Sequence, residues 1–224
     1  MKLENDWINP LLDWSRDPEE VANTITHGLG FLLSVLGAIV MAIWVLREGD
    51  AWRLLGCAVY AASLVTTYAM STLSHSCSSP NPKRLFRMLD QGFIYVLITA
   101  SYTPFSLVFL RTGLGWLYLA VMWAIAMFGF LSKILLAHRV DASSIWIYVV
   151  LGWMGVVAAP SLVGLVPEAG LWWMLIGGLC YTVGTVFLVF DNHVRYFHAL
   201  WHLFVIAGSA CHFFVILLFV APLR

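Results

Sequence analysis

The sequence predicts an all-α protein, a seven-transmembrane helix bundle with its N-terminus cytoplasmic and its C-terminus outside. The first observation is composition. Of 224 residues, 61% are hydrophobic and only 11% charged, with a mean hydropathy of +0.87. A soluble domain is about 45–50% apolar and about 25% charged, so lipid must solvate most of the outside. The second is that the apolar residues gather into seven stretches, each close to the ~20 residues a helix needs to cross a bilayer. The third is the distribution of Lys and Arg between the connections.

Residues 1–24 form an N-terminal cytoplasmic or interfacial segment, and residues 25–224 a single seven-helix domain. The first twenty residues include Glu4, Asp6, Asp13, Asp17, Glu19 and Glu20, with no apolar core of a cleavable signal peptide. Asp17 suits a helix N-cap and Pro18 the first helical position, so a short surface helix is expected before the first span. Trp7, Leu11, Leu12 and Trp14 suit the membrane interface.

The spans are expected near Ile25–Leu46, Trp52–His75, Leu89–Leu110, Leu114–Ala137, Ser143–Val166, Leu171–Phe190 and Tyr196–Val220. The connections are short, the longest being Ser76–Met88. Pro104 and Pro160 fall inside spans and are expected to kink them. Gly152, Gly155, Gly177 and Gly178 suit close helix approach. Trp7, Trp14, Trp44, Trp52, Trp116, Trp172 and Trp173 lie near span ends, as an interfacial belt does.

Orientation follows from the basic residues. With the N-terminus inside, Lys2, Arg16, Lys83, Arg84, Arg87, Lys133, Arg139 and Arg195 are cytoplasmic and Arg47, Arg53, Arg111 and Arg224 outside, 8 against 4. Lys133 is expected to snorkel to the interface. Acidic and basic residues balance at 12 each, so charge points to no nucleic-acid partner. Three of the four cysteines (Cys57, Cys77, Cys180, Cys211) fall in spans, which argues against a disulfide framework.

Ionisable groups at membrane depth are costly and mark functional sites. Here His27 opens span 1, His75 closes span 2, Asp90 opens span 3, and His198 and His202 open span 7. With N-in topology all five lie at the cytoplasmic face. His198 and His202 are four residues apart and share a helical face, so both imidazoles can meet one metal. His75 is the candidate third ligand, which would leave a tetrahedral position open for water. Asp90 would deprotonate that water or orient a ligand. Ser71, one turn before His75, would position His75, a bound carbonyl or the water. His27 is expected beside the ligands, His212 too deep to join them and hydrogen-bonded in the bundle, and His138 and His193 in loops. Cys77, a soft alternative ligand, carries little weight.

The runs Ser71-Thr72-Leu73-Ser74-His75, Leu89-Asp90-Gln91-Gly92-Phe93-Ile94-Tyr95, Ser101-Tyr102-Thr103-Pro104-Phe105, Thr26-His27-Gly28-Leu29-Gly30 and His198-Ala199-Leu200-Trp201-His202 resemble the hemolysin III family. That family is the bacterial branch of the progestin and adiponectin receptor superfamily and is related to alkaline ceramidases. The resemblance covers nearly the whole chain. It implies a bacterial cytoplasmic-membrane protein with Zn2+ held by His75, His198 and His202, and with Asp90 contacting the water on the zinc. Gln91 after the Asp and Ser74 before His75 depart from the family's pattern, in the surroundings of the ligands rather than the ligands themselves.

Three functions fit these features. The first is a zinc-dependent hydrolase of a membrane lipid amide or ester, ceramidase-like and engaged in membrane lipid homeostasis, with Asp90 and Ser71 catalytic. The second is a non-catalytic, lipid-responsive receptor or regulator with structural zinc. The third, a pore or ion transporter, is disfavoured because the ionisable residues stop at one side of the membrane.

Overall fold

The computed structural model describes residues 17–48, 50–135 and 144–222. The expectations placed on Lys2, Trp7, Leu11, Leu12, Trp14, Arg16, His138, Arg139 and Arg224 fall outside these residues. The chain order is α1 (Pro18–Glu48), α2 (Ala51–Ser76), α3 (Pro80–Phe109), α4 (Gly113–Leu135), α5 (Ser144–Trp153), α6 (Gly155–Leu162), α7 (Glu168–Val189) and α8 (Phe197–Val215), which runs into a π-helical turn over Ile216–Val220. Among the described residues seven spans are long and apolar enough to cross a membrane, with α5 and α6 sharing one of them. The described residues contain no strand, only an isolated bridge between Val163 and Val166.

Several elements differ in extent from the sequence reading. Asp17 does cap α1, its carboxylate accepting the Glu19 N–H at 3.0 Å. No separate surface helix follows, because α1 runs unbroken for 31 residues. Its polar residues are absorbed by the helix itself: the Thr24 and Thr26 hydroxyls donate to the carbonyls of Glu20 and Ala22 at 2.8 and 2.9 Å. As one helix, α1 sets Glu20, Asn23 and His27 on a single face. The Ser76–Met88 connection is largely helical, since Pro80 sits in the first turn of α3, where its missing N–H costs nothing.

The spans that carry the two prolines behave differently. Span 5 breaks at Met154, between α5 and α6. The chain there turns through Met154 N–H to Leu151 carbonyl and Val157 N–H to Met154 carbonyl bonds, six residues before Pro160, which itself lies inside α6. Pro104 leaves α3 continuous to Phe109.

The bundle has an inside and a periphery. In α3 67% of the most apolar window is buried, against 11% in α7. Accordingly α2 packs on α1 and α3, α4 on α3, α8 on α7 and α1, and α5 against α3 and α7. The side chains of Leu32, Leu36, Ile39 and Ile43 form an exposed stripe on α1, an apolar face suited to lipid. Helices α1, α3, α5 and α8 begin at one end of the bundle, where α2, α4 and α7 finish. At the opposite end Trp44, Trp52, Trp116, Trp172 and Trp173 are all exposed, and the Trp52 and Trp116 rings meet at 5.6 Å. That is one girdle of an interfacial belt. The Arg53 guanidinium ties the end of the π-helical turn to α2 by donating to the Val220 carbonyl at 3.0 Å.

Candidate metal centre

The face periodicity of α2 brings Thr67, Ser71, Ser74 and His75 inward together. Asp90 reaches the same place from α3, and His198 and His202 from the first turns of α8. The entry to α8 is fixed by Tyr196, which has a left-handed φ of 64°, rare for a bulky residue and held only where surroundings impose it. The Glu19 carboxylate accepts the Tyr196 N–H, which ties α1 to this turn two residues before His198.

The structure brings His75, His198 and His202 into one cluster, with ligand nitrogens within 4.8 Å of one another. His75 and His202 are buried and His198 partly buried. The ring centroids lie 5.0 Å apart for His75 and His198, 5.1 Å for His75 and His202, and 4.6 Å for His198 and His202. Cys77 stands apart, its Sγ directed at the Ser79 carbonyl.

Each of the three imidazoles is held at Nδ1. His75 Nδ1 lies 2.7 Å from Glu20 Oε2, His198 Nδ1 lies 2.7 Å from Asp191 Oδ2, and His202 Nδ1 lies 3.0 Å from Thr26 Oγ1. An acceptor on Nδ1 fixes the tautomer that presents the Nε2 lone pair and makes that nitrogen more basic, as metal-binding histidines require. The donor set, three imidazoles oriented from behind, therefore fits a divalent transition metal such as zinc. Glu20 is itself braced by Lys83, whose ammonium lies 2.6 Å from Oε1.

The remaining polar residues surround the cluster. His27 stacks flat on His202, centroids 3.4 Å apart, and its Nδ1 is 2.5 Å from the Ser71 hydroxyl. Asp90 accepts from the Ser74 hydroxyl at 3.3 Å. Ser74 is one of the departures from the family pattern, and its hydroxyl thus contacts the expected acid/base. At Gln91, the other departure, the backbone carbonyl accepts from the Tyr148 hydroxyl at 2.8 Å. Lys133 does not snorkel outward: it is only 3% exposed and lines the central cavity, because its position on α4 faces the polar wall inside the bundle rather than the lipid. His193 is exposed in the turn before α8. The hydrogen bond expected for His212 is not formed among the described residues, and its Nδ1 is buried without a partner.

A cavity of about 780 Å³ opens from this cluster into the bundle. Its wall near the histidines carries Glu20, Ser71, Asp90 and Asp191, and deeper it becomes apolar, with Ile94, Leu97, Leu162, Met174 and Val205. Val156 of α6 and Val163, just after that helix, line the cavity and are both strongly exposed. Sequence reasoning missed Glu20 and Asp191. For Glu20 the signal available was its acidity in the first turn of α1, which the helix dipole explains equally well, whereas Asp191 follows the end of α7, where the dipole disfavours an acid.

Comparison with known proteins settles the family. The sequence profile described as "Haemolysin-III related" matches residues 16–213. The chain belongs to the haemolysin-III family. It is 40% identical to Hemolysin-3 of Bacillus cereus over 204 residues, 91% of this chain and 93% of that one. It is 36% identical to the Hemolysin-3 homolog of Bacillus subtilis (strain 168) over 201 residues, covering 90% and 94% of the two chains. Similarity reaches the human Monocyte to macrophage differentiation factor, 27% identical over 207 residues, 88% of this chain and 83% of that one. The family profile spans residues 16–213, a range that contains every residue of the cluster.

Proposed function

We propose that this haemolysin-III family protein is a zinc-dependent hydrolase of an amide or ester bond in a membrane lipid, working in a bacterial cytoplasmic membrane in the service of lipid homeostasis. The observation that carries the reading is the position of the cluster. Three histidines, each oriented through Nδ1, sit at the polar end of a cavity of about 780 Å³ whose depth is apolar. That size lies within the range of small-molecule sites. A lipid headgroup would lie at the histidines and its chain in the bundle, entering past Val156 and Val163.

Zinc held by His75, His198 and His202 would polarise a carbonyl and lower the pKa of a water toward neutrality. Glu20, Asp191 and Thr26 keep the three rings turned toward it. Asp90, on the same cavity wall, is the group available to accept the proton of the attacking water and return it to the leaving amine or alcohol. The Ser74 hydroxyl holds the Asp90 carboxylate. Ser71, fixed by His27, presents its hydroxyl where a scissile carbonyl oxygen would lie and can steady it as negative charge develops.

The test is turnover by purified, zinc-loaded protein presented with ceramides, N-acyl amides and phospholipids, with released fatty acid measured by mass spectrometry. Release is expected from wild type and lost in Asp90→Asn with zinc retained. Zinc-loaded protein that turns over no member of the panel sinks the hydrolase reading.

A second reading is favoured by one contact. The Ser71 hydroxyl is already engaged by His27 at 2.5 Å, and the cluster joins α1, α2 and α8 through side chains alone. A metal there would act as a clamp in a lipid-responsive receptor. On this reading metal removal lowers thermal stability sharply with no catalysis to lose.

A further inference from the structure

His212 is placed like a ligand-binding group, and among the described residues nothing else uses its ring nitrogens. It is 5% exposed, it lines the same cavity as the histidine cluster, and no described residue hydrogen-bonds its ring. A buried polar group without a partner is costly. Its neighbours are satisfied among themselves. The Tyr68 and Tyr181 hydroxyls each lie 2.9 Å from Ser209 Oγ, and the Tyr60 hydroxyl donates to the Ser209 carbonyl at 3.2 Å. The imidazole stacks on Tyr181, centroids 5.7 Å apart and planes 14° from parallel. Gly177 gives it room, since a Cβ there would come within 2.8 Å of the ring. The ring is thus oriented, walled in and left with its hydrogen-bonding capacity open.

Its depth defines what it would meet. His212 follows His202 by ten residues on one helix, which is about 15 Å along the axis. An extended chain advances about 1.2 Å per bond, so a ligand whose head lies at the cluster reaches His212 about a dozen bonds later. We infer that His212 is a second polar subsite, recognising a hydroxyl or oxo group carried mid-chain on the acyl or alkyl tail of the ligand. This rests on the reading of the cavity as a lipid site. It narrows the ligand class from lipids in general to lipids oxygenated about a dozen bonds from the scissile or metal-facing group. A plain saturated chain would leave the imidazole unpaired and bind less well.

The test uses zinc-loaded full-length protein and three probes that share a metal-binding head: the hydroxamate of stearic acid, an analogue hydroxylated about a dozen bonds from the head, and one hydroxylated beside the head. Dissociation constants are measured for wild type, His212→Phe and His212→Asn. Wild type is expected to favour the mid-chain alcohol over the plain chain by about 3–10-fold, the worth of one neutral hydrogen bond. His212→Phe should abolish that preference while still binding the plain chain. His212→Asn, which keeps a donor and an acceptor, should retain part of it. The probe hydroxylated beside the head should respond to neither change. Equal binding of the plain and mid-chain probes to wild type, or a preference that survives in His212→Phe, overturns the subsite and leaves the lipid cavity standing. Failure of wild type to bind any of the three overturns the lipid cavity itself.

Discussion

Removal of the Glu20 carboxylate would probe how the chain prepares His75 for a metal. Glu20 Oε2 accepts from His75 Nδ1 at 2.7 Å while Oε1 meets the Lys83 ammonium at 2.6 Å. In Glu20→Ala the ring loses the acceptor at Nδ1 and can rotate or change tautomer. A hydrogen bond to a charged group is worth about 1.5–3 kcal/mol, which is about 10- to 150-fold in an equilibrium constant. Loss of such a partner behind a metal-binding histidine typically weakens metal binding about 10–100-fold. Asp191→Ala should cost about as much, because the His198–Asp191 contact is also 2.7 Å and charge-assisted. Thr26→Val should cost less, about 2- to 10-fold, since a neutral hydroxyl at 3.0 Å supports His202. The assay is competition for zinc between detergent-purified protein and a chromophoric chelator. The reasoning is refuted if Glu20→Ala and Asp191→Ala bind zinc as wild type does, or if Thr26→Val is the most damaging of the three.

Other consequences follow from the fold. Gly56→Ala should lower the thermal midpoint, by overpacking worth about 1–3 kcal/mol, because its Cβ would lie 2.8 Å from the Pro104 Cα, a backbone atom that cannot swing away; Gly178→Ala, with nothing within 4 Å, should be neutral or slightly stabilising. Asp50 caps α2 outside the spans; burial raises its pKa slightly, but the Trp52 N–H and the Arg53 guanidinium outweigh this and hold it below the ordinary carboxylate value. Its charged form is therefore favoured by folding, so the stability lost in Asp50→Ala, about 0.5–2 kcal/mol, should be full at neutral pH. The gap between the two proteins should then close as pH falls below the usual aspartate range, read as converging thermal midpoints. The end carrying the cluster also carries Lys83, Arg84, Arg87 and Arg195, and should face the cytoplasm; a C-terminal alkaline phosphatase fusion is expected to be active and a C-terminal fluorescent protein dark, and the reverse pattern would overturn the orientation.

The spans were readable because lipid imposes a length and a composition that survive without knowledge of packing. The i, i+4 spacing of His198 and His202 was readable for a similar reason, since one helix sets both positions. His75 and Asp90 could be added because short connections alternate the helix directions and so place span ends at matching depths. The supports of the cluster were not readable. Glu20 meets His75 across 55 residues, and no local pattern distinguishes an acid that orients a histidine from one that favours a helix N-terminus. Lys133 was misdirected by its place near a span end, where outward snorkelling is the rule; which face of α4 meets α3 is decided by packing. The break at Met154 lies six residues before Pro160, beyond the Val156 carbonyl that the ring deprives of a partner, so the proline alone did not mark its place.

The measurement that bears most directly on the account is metal content per chain in gently purified protein, wild type beside His75→Ala, His198→Ala and His202→Ala. The account predicts one zinc per chain in wild type and its loss in all three variants, with the variants still folded as seven-span proteins. A metal-free wild type that takes up no zinc on addition, or variants that hold zinc as tightly as wild type, would contradict it.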